Sequence, residues 1–445
     1  MVTSIEPGSE TASRCVCGKV HRVPLDTVVI DEDALERLVA YAVTRNWSWP
    51  FVVMDANTAD VAGSRVIEAL SRAGLGVSTF CFPERSGLLA DETSVSRLES
   101  ALKQVEPDSL FSVGSGVITD LTRYLAIQTG RDFVSVPTAA SMDGYASGVA
   151  VMEFGGMKTS VVANPPVAIF AEPHTIAAAP HDMTRAGIGD LLGKASARTD
   201  WVASHVLYGE YLCPEVERSV TDSYLHAATH VAEILEGSPE AVARFLEGLV
   251  QSGIAIALVG NSRPASGCEH QVSHFWDLLA ANRWRPHEPH GLQVGYATRF
   301  AMGLQSYAFG GAVSEVVEPR PVGPEGDEVR SLFIGHDAEV DAVMEQKHQF
   351  LTEHATAWPA TVADWEAARG QLAAPTSVFS LVGAALSTAG IPPEPGFLGL
   401  DEKTLKKSFR WANRIRPRYT VLDFLEGQGL LDEAIDSVVD REARA

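Results

Sequence analysis

Short apolar runs alternate with amphipathic segments over the first third of the chain. The runs Trp49–Met54, Val77–Phe82, Ser109–Val113 and Asp132–Val136 indicate buried strands, and Asp91–Val105 indicates an amphipathic helix. This alternation is typical of parallel strands joined by helices. We therefore predict a nucleotide-binding type of α/β sheet in this part of the chain.

From about Ala177 onward the sequence is rich in Ala, Leu and Glu at helical spacing. The predicted helices are Gly189–Leu207, Val220–Leu235, Pro239–Ala257, Glu269–Ala281, Leu292–Tyr307 and Asp337–Thr352. A length of 445 residues favours more than one domain. We predict a Rossmann-like cofactor-binding domain over residues 1–176 and an all-helical metal- and substrate-binding domain over residues 177–445.

The composition is that of a globular protein, with 46% hydrophobic and 21% charged residues. A formal net charge of -22 would repel a phosphate backbone, so we expect no nucleic-acid partner. A small phosphorylated substrate remains compatible with this charge, because a few buried donors or a metal can reverse the field locally.

Residues 1–13 lack the features of a secretory signal, and the most apolar run, Gly253–Gly260, is too short to span a bilayer. Five widely spaced cysteines suit reduced thiols. We therefore expect a cytoplasmic protein with no membrane association. Cys15-x-Cys17-Gly18 with His21 resembles half a zinc site, but no second pair of thiols accompanies it.

Two segments follow predicted strands and could bind a nucleotide. Gly114-Ser-Gly116-Val117-Ile118-Thr119-Asp120 opens a helix, where backbone N–H groups can bind a pyrophosphate. Thr138-Ala139-Ala140-Ser141-Met-Asp143-Gly-Tyr-Ala-Ser147 lies beyond the next strand, where ligands of such sheets bind. A plain strand-to-helix turn and a locally satisfied Ser/Asp turn are the respective alternatives.

Four further residues have the types and spacing of a metal centre. His270 and His274 are four apart and therefore share one helix face, while His290 and Asp190 could complete three protein ligands of a catalytic zinc ion. A pair of histidines at this spacing also arises by chance. Asp190 with Lys194 alternatively indicates a helix N-cap and a surface i,i+4 pair.

Read together, these segments resemble the glycerol-1-phosphate dehydrogenases, within the iron-containing alcohol dehydrogenase and dehydroquinate synthase superfamily. The similarity covers most of the chain. The segments that carry it are Cys15–His21, Asp55–Thr58, Gly114–Asp120, Val136–Ser147, Gly187–Lys194, Ser262–His270 and Ile415–Asp423.

The resemblance implies a Rossmann-like domain followed by an all-helical domain. It implies Asp190, His270 and His290 as ligands of one divalent ion, Zn²⁺ or alternatively Ni²⁺ or Fe²⁺. It implies substrate contacts from Asp143, Asp190 and His274, with Asp143 or His274 relaying the proton. NAD or NADP would contact Gly114, Gly116, Val117, Ile118, Thr119, Asp120, Thr138, Ala139, Ala140, Ser141 and Ser147, with Asp55 near the adenosine ribose.

The implied reaction is hydride transfer between the nicotinamide cofactor and dihydroxyacetone phosphate, assisted by the metal as a Lewis acid. Lys158 and Lys194 are candidates to bind the substrate phosphate. A carboxylate at Asp55 favours NAD over NADP, because it would repel a 2′-phosphate. By base rate we expect a homodimer.

The sequence departs from the family pattern at several places. Leu292 follows His290-Gly291 where the family has Glu, Glu172 follows Ala171 where it has Asp, Cys268 replaces Ser, and residues 282–289 form a bulky insert. Such changes could alter the metal's surroundings and the substrate. A dehydrogenase for another polyol or aldehyde, a dehydroquinate synthase-like cyclase and a non-enzymatic binding protein are therefore the alternatives.

Overall fold

The computed structural model describes residues 15–23, 25–155, 157–281, 288–313, 316, 337–354, 357–359 and 361–442. By contacts within the chain, two compact units emerge, one containing the sheet and one helical. The first comprises Met1–Leu191 and His230–Asn261, and the second comprises Leu192–Thr229 and Ser262–Ala445. The division into domains at residue 176 stays a prediction.

The first unit is built on a six-stranded parallel sheet of order β1-β8-β5-β4-β2-β3. Its strands are β1 (Thr27–Ile30), β2 (Pro50–Asp55), β3 (Ser78–Phe82), β4 (Ser109–Gly114), β5 (Asp132–Pro137) and β8 (Ala168–Ala171). The four predicted strands are confirmed, within a residue or two at each end. Strands β1 and β8 have four residues each, too few to show a periodicity, and the sequence reading missed them.

The apolar runs are continuous because both faces of the sheet are covered, as in other parallel sheets. In β2, Val52 and Met54 enter one core cluster, while Phe51 and Val53 enter the cluster on the opposite face. Successive side chains of a strand point to opposite faces, so each face receives every second residue. An antiparallel hairpin, β6 (Val149–Phe154) with β7 (Met157–Val162), lies outside this sheet and was not predicted.

Helices connect the strands of the first unit and complete it. They are α1 (Ala34–Thr44), α2 (Ala56–Thr58), α3 (Ser64–Arg72), α4 (Glu92–Leu102), α5 (Gly116–Thr129), α6 (Pro173–Ala177), the first part of α7 (His181–Tyr208), α9 (Val231–Leu235) and α10 (Pro239–Val259). A π-helical turn, Ala59–Gly63, joins α2 to α3.

Helix α10 is more apolar than the sequence reading allowed. By length and composition alone its 21 residues, with a mean hydropathy of 1.6, could cross a membrane. However, 61% of that stretch is buried inside the protein, as expected for a core helix.

The second unit is helical throughout its described residues. It contains the remainder of α7, α8 (Pro214–Thr229), α11 (Cys268–Ala281), α12 (His290–Phe309), α13 (Asp337–His354), α14 (Val362–Thr376), α15 (Phe379–Thr388), α16 (Glu402–Trp411), α17 (Val421–Gly427) and α18 (Leu431–Glu442). A parallel sheet accompanied by this large helical part confirms the predicted fold class.

Two predicted helices have the wrong bounds. Helix α7 begins at His181 and not at Gly189, because its glycines lie inside the helix and permit close contacts. The predicted helix Val220–Leu235 is two helices, since His230 leaves the helical conformation at φ -121° and ψ 20°, and the first of them begins at Pro214.

Candidate active site

The carboxyl ends of β2, β4 and β5 lie side by side at one edge of the sheet. Strand β2 pairs with β4, and the last residue of β4, Gly114, is in register with Pro137 of β5. The segments after these strands are the ones predicted to bind the cofactor. Parallel pairing therefore brings these segments to the same edge of the first unit.

Helix α5 begins at this edge. Its N-cap, Ser115, makes no side-chain capping bond among the described residues, and its carbonyl accepts from the Thr119 amide at 3.0 Å. A Cβ at Gly114 would lie 2.7 Å from Cβ of Ile118, so only glycine permits this tight turn. A helix N-terminus without a side-chain cap, preceded by a glycine that permits a tight turn, is suited to binding a pyrophosphate.

The residues deeper in α5 have a second role. Asp120 is buried and forms an ion pair with Arg123 at 2.6 Å, while the guanidinium donates to the carbonyls of Gly144, Tyr145 and Val149. Burial raises the pKa of Asp120 to about 6, although Arg123 opposes this rise. The pair anchors the loop after β5 to α5, and a cofactor contact from Asp120 stays a prediction. The hydroxyl of Thr119 is buried and has no hydrogen-bond partner within the described residues.

The loop after β5 is largely buried and is stabilised by hydrogen bonds within itself. Thr138, Ala139 and Ala140 are buried, and the Tyr145 hydroxyl donates to the Ala139 carbonyl at 2.6 Å. The Ser147 hydroxyl accepts a hydrogen bond from the Val149 amide at 3.1 Å. Ser147 therefore also makes the local turn contact that the alternative interpretation expected, while Ser141 remains half-buried.

Asp143 and Asp190 contact each other in the first unit. The Asp143 amide donates to Oδ2 of Asp190 at 3.0 Å, and Oδ2 of Asp143 accepts from the Ser252 hydroxyl at 2.9 Å. On α10, a Cβ at Gly253 would lie 2.7 Å from the Asp143 carbonyl oxygen. Helix α10 therefore packs against the loop that carries Asp143, and it positions that carboxylate.

The structure contradicts the N-cap and surface-pair interpretation of Asp190 and Lys194. Both lie inside α7, at 1% and 0% exposure respectively, far from its start at His181. A charged side chain is costly to bury unless it has partners of opposite charge or binds a metal. Burial in mid-helix therefore favours the functional interpretation of these two residues.

Three histidines pack together in the second unit. The ring centroids of His270 and His290 are 5.3 Å apart, those of His274 and His290 are 5.5 Å apart, and those of His270 and His274 are 6.2 Å apart. The candidate ligand atoms of His270 and His290 lie within 4.8 Å of each other. Helices α11 and α12 pack together. His270 and His290 lie in the first turns of these helices, and His274 lies one turn further along α11.

Glu269 fixes the orientation of His270. The Nδ1 atom of His270 lies 2.8 Å from Oε1 of Glu269, which also accepts from the Gly267 amide at 2.7 Å. Glu269 is fully buried, and although burial favours its neutral form, the hydrogen bonds from His270 and Gly267 lower its pKa. The Glu269 carboxylate accepts a hydrogen bond from Nδ1–H, so Nε2 of His270 is left available to bind a metal.

His274 has different neighbours. Arg416 donates to its Nε2 at 3.2 Å, so this nitrogen carries a lone pair and no proton. On the other side Nδ1 lies 3.8 Å from Oδ2 of Asp277. Because its Nε2 contacts the Arg416 guanidinium, His274 fits a position beside a metal better than that of a ligand, and its predicted substrate contact stays a prediction.

The remaining predicted residues lie in the first unit. Oδ1 of Asp55 accepts from the amides of Asn57 and Thr58 at the start of α2, so this carboxylate caps a helix at the cofactor edge. Lys158 lies half-buried on β7, and its charge acts on Asp120. Of the insert 282–289, residues 282–287 lie outside the described residues.

Three residues of this site were not predicted from the sequence. Glu269 lay beside a predicted ligand and Arg416 lay in a segment that carries the resemblance, so both had a signal. Ser252, in contrast, lies within an apolar helix and has no local signal. Its contact with Asp143 spans 109 residues of sequence, and only the fold creates it.

Comparisons with known proteins agree with this geometry. A family model described as iron-containing alcohol dehydrogenase matches residues 29–180. A solved structure, the iron-containing alcohol dehydrogenase from Thermococcus thioreducens, has a TM-score of 0.63 at 16% identity, covering 96% of this chain and 100% of that one. At that identity the match shows the fold alone.

Two curated proteins named glycerol-1-phosphate dehydrogenase (NAD(P)+) are similar in sequence. The one from Halalkalibacterium halodurans is 33% identical over 303 residues, covering 67% of this chain and 76% of that protein. The one from Geobacillus stearothermophilus is 28% identical over 430 residues, covering 96% of this chain and 98% of that protein. The chain therefore belongs to the glycerol-1-phosphate dehydrogenase family.

Proposed function

We propose that this chain reduces dihydroxyacetone phosphate to sn-glycerol 1-phosphate with NADH or NADPH, assisted by one divalent metal ion. The observation that carries the proposal is the packed group of His270, His274 and His290, with Nδ1 of His270 held by a buried glutamate. In a family of NAD(P)-dependent dehydrogenases, oriented imidazoles of this kind serve a metal-assisted reaction.

The proposed metal ligands are Asp190, His270 and His290. The donor set fits a divalent ion, because two imidazole nitrogens and one carboxylate leave a coordination position open for a substrate oxygen. The buried Asp190 gains a compensating positive charge from such an ion. Zn²⁺, Ni²⁺ and Fe²⁺ all accept these ligand types, and metal analysis of the purified protein would identify the ion.

When bound, the metal polarises a carbonyl oxygen and the nicotinamide supplies a hydride. The side chains of the protein would then deliver the proton to the substrate oxygen. We propose His274 as the first candidate for proton relay, with its Nδ1 lying 3.8 Å from Oδ2 of Asp277. Asp143, bound to Ser252 and to Asp190, is the second candidate for proton relay and substrate contact.

A cluster of cations in the second unit suits the substrate phosphate. Arg263, Arg416 and Arg418 lie near one another, and burial followed by repulsion from the other two cations lowers the pKa of Arg418 to about 9. Arg263 donates a hydrogen bond to Glu210, and Arg418 donates one to the Ser266 carbonyl. Arg416, in contrast, contacts His274. We propose Arg416 as a phosphate contact, in addition to the predicted Lys158 and Lys194.

The proposed cofactor position is the sheet edge after β2, β4 and β5. Amides of Gly116, Val117 and Ile118 would bind the pyrophosphate, and the loop from Thr138 to Ser147 would line the nicotinamide half. The carboxylate of Asp55 favours NAD over NADP. Comparison of kcat/KM for NADH with kcat/KM for NADPH tests this preference, and a clear advantage for NADPH would refute it.

The test of the function is an assay of the metal-reconstituted protein with NADH and dihydroxyacetone phosphate, with chiral analysis of the product. We expect steady NADH oxidation that yields the sn-1 phosphate and that is abolished by a chelator and by His270→Ala. An exposed-histidine variant, His348→Ala, is the matched control. A protein with bound metal and cofactor that does not turn over dihydroxyacetone phosphate would refute the substrate assignment.

A further inference from the structure

We infer that Cys15, Cys17 and His21 bind a structural zinc ion, separate from the proposed catalytic metal. The candidate ligand atoms of these three residues lie within 4.8 Å of one another in the first unit. Thiolate and imidazole are the ligands that structural zinc sites use. The proposal goes beyond the dehydrogenase reaction and does not depend on it.

The local backbone brings the two thiols together. Residues 15–19 form a tight turn in which the Gly18 amide donates to the Cys15 carbonyl at 2.8 Å and the Cys15 amide donates to the Lys19 carbonyl at 3.2 Å. Gly18 has a φ of +80°, a conformation that residues with a side chain rarely adopt. The Cys-x-Cys-Gly sequence therefore folds into a loop with both sulfur atoms on the inside of the cluster.

His21 is oriented as metal-binding histidines usually are. Its Nδ1 lies 2.9 Å from the Leu258 carbonyl, and since a carbonyl only accepts, Nδ1 carries the proton. The opposite nitrogen, Nε2, lies 3.2 Å from Sγ of Cys17. Sulfur and nitrogen ligands of one tetrahedral zinc ion are about 3.6 Å apart, close to this separation.

The contact with Leu258 also suggests what the site does. Leu258 lies in the last turn of α10, where backbone carbonyls lack intrahelical partners. His21 satisfies one of these carbonyls, so a bound zinc ion would fix the segment 15–23 to the end of this core helix. A thiol–imidazole hydrogen bond without metal, or a Cys15–Cys17 disulfide, is the competing explanation.

A structural zinc site is normally closed by a fourth ligand, which water or a further residue would supply here. Cys81 is exposed on β3 with its thiol directed at the Phe82 carbonyl, so it serves as the control thiol.

The experiment measures metal content and cobalt spectra of the full chain in a His270→Ala background, which removes a ligand of the catalytic centre. We expect one zinc ion per chain, released by a mercurial thiol reagent. After replacement by Co²⁺ we expect a thiolate-to-cobalt charge-transfer band, which a centre of Asp and His ligands cannot give. Cys17→Ser and His21→Ala should lose the tightly bound zinc, and Cys81→Ser is the matched control that keeps it.

Two results would overturn the site. One is a His270→Ala chain without zinc and without the charge-transfer band although its thiols are reduced. The other is a Cys15–Cys17 disulfide in the purified protein, detected by mass spectrometry after alkylation. Because Cys17→Ser could impair folding, Cys17→His serves as a second variant, and it should retain zinc while weakening the thiolate band.

Discussion

Oε1 of Glu269 lies 2.8 Å from Nδ1 of the next residue, His270, and both side chains are buried. The carboxylate holds the imidazole in one tautomer and one orientation, with Nε2 available to a metal. If His270 is a metal ligand as proposed, Glu269 would act on the metal through His270, so metal affinity and substrate contact should be separable by mutation.

We expect Glu269→Gln to weaken metal binding by about 10- to 100-fold, the usual effect of removing a partner that orients a ligand. An amide does not stabilise the ligating tautomer as a carboxylate does. Titration against a competing chelator measures the affinity. Glu366→Gln, at an exposed position of α14, is the control. Unchanged affinity in Glu269→Gln would show that His270 does not bind the metal.

We expect His274→Ala to lower kcat by about 100-fold or more while leaving metal content unchanged, because general acid catalysis by a positioned side chain contributes this much. Its Nε2 faces Arg416 rather than a metal. Steady-state kinetics and metal analysis of the same preparation measure both quantities, with His348→Ala as control. Loss of the metal together with activity would make His274 a ligand.

We expect Arg416→Met to raise the KM for dihydroxyacetone phosphate by about 10- to 100-fold, since a hydrogen bond to a charged group contributes about 1.5–3 kcal/mol. Reduction of unphosphorylated dihydroxyacetone should change far less, because it has no phosphate to bind. Arg218→Met, at an exposed position of α8, is the control. An equal loss with both substrates would assign Arg416 to the positioning of His274 alone.

We expect Gly187→Ala to destabilise the protein by about 1–3 kcal/mol or more, although alanine ordinarily favours a helix over glycine by about 1 kcal/mol. The new Cβ would lie 1.9 Å from the Ala140 carbonyl oxygen, so the cofactor loop or α7 must move. Gly370→Ala, on α14, meets nothing within 4 Å and should be neutral or stabilising. Urea unfolding and NADH titration test both variants, and wild-type values in Gly187→Ala would refute the close packing.

Asp200 should make stability depend on pH. Burial, and then repulsion from Glu269, raise its pKa from 3.8 to about 7. Between these values the folded protein binds more protons than the unfolded chain, so the contribution of Asp200 grows as the pH falls through about 7 and is complete below 3.8. Its upper bound is about 4 kcal/mol.

The measurement is urea unfolding at several pH values for wild type and Asp200→Asn. The asparagine cannot titrate, so the wild type should gain stability relative to the variant as the pH is lowered from 8 to 5. Asp222→Asn, at an exposed position of α8, should parallel the wild type. Parallel curves for wild type and Asp200→Asn would mean that Asp200 is ionised throughout.

The sequence alone indicated four of the six strands of the parallel sheet, several of the helices (α4, α7, α8, α10, α11, α12 and α13) and the candidate ligands. Strands such as Pro50–Asp55 are recognisable as continuous apolar runs because both faces of the sheet are apolar. His270 and His274 share a helix face because they are four residues apart. These properties are local, since each depends on residues a few positions apart.

Only the tertiary structure decided the remainder. In the structure α7 begins at His181. Gly187 lies inside this helix, where the close approach of Ala140 leaves no room for a side chain. Asp143 is hydrogen-bonded to Ser252, 109 residues away in sequence. His21 is hydrogen-bonded to the carbonyl of Leu258, 237 residues away. Contacts at such separations leave no periodicity in the chain, because they depend on how whole elements pack and not on the spacing of neighbouring residues.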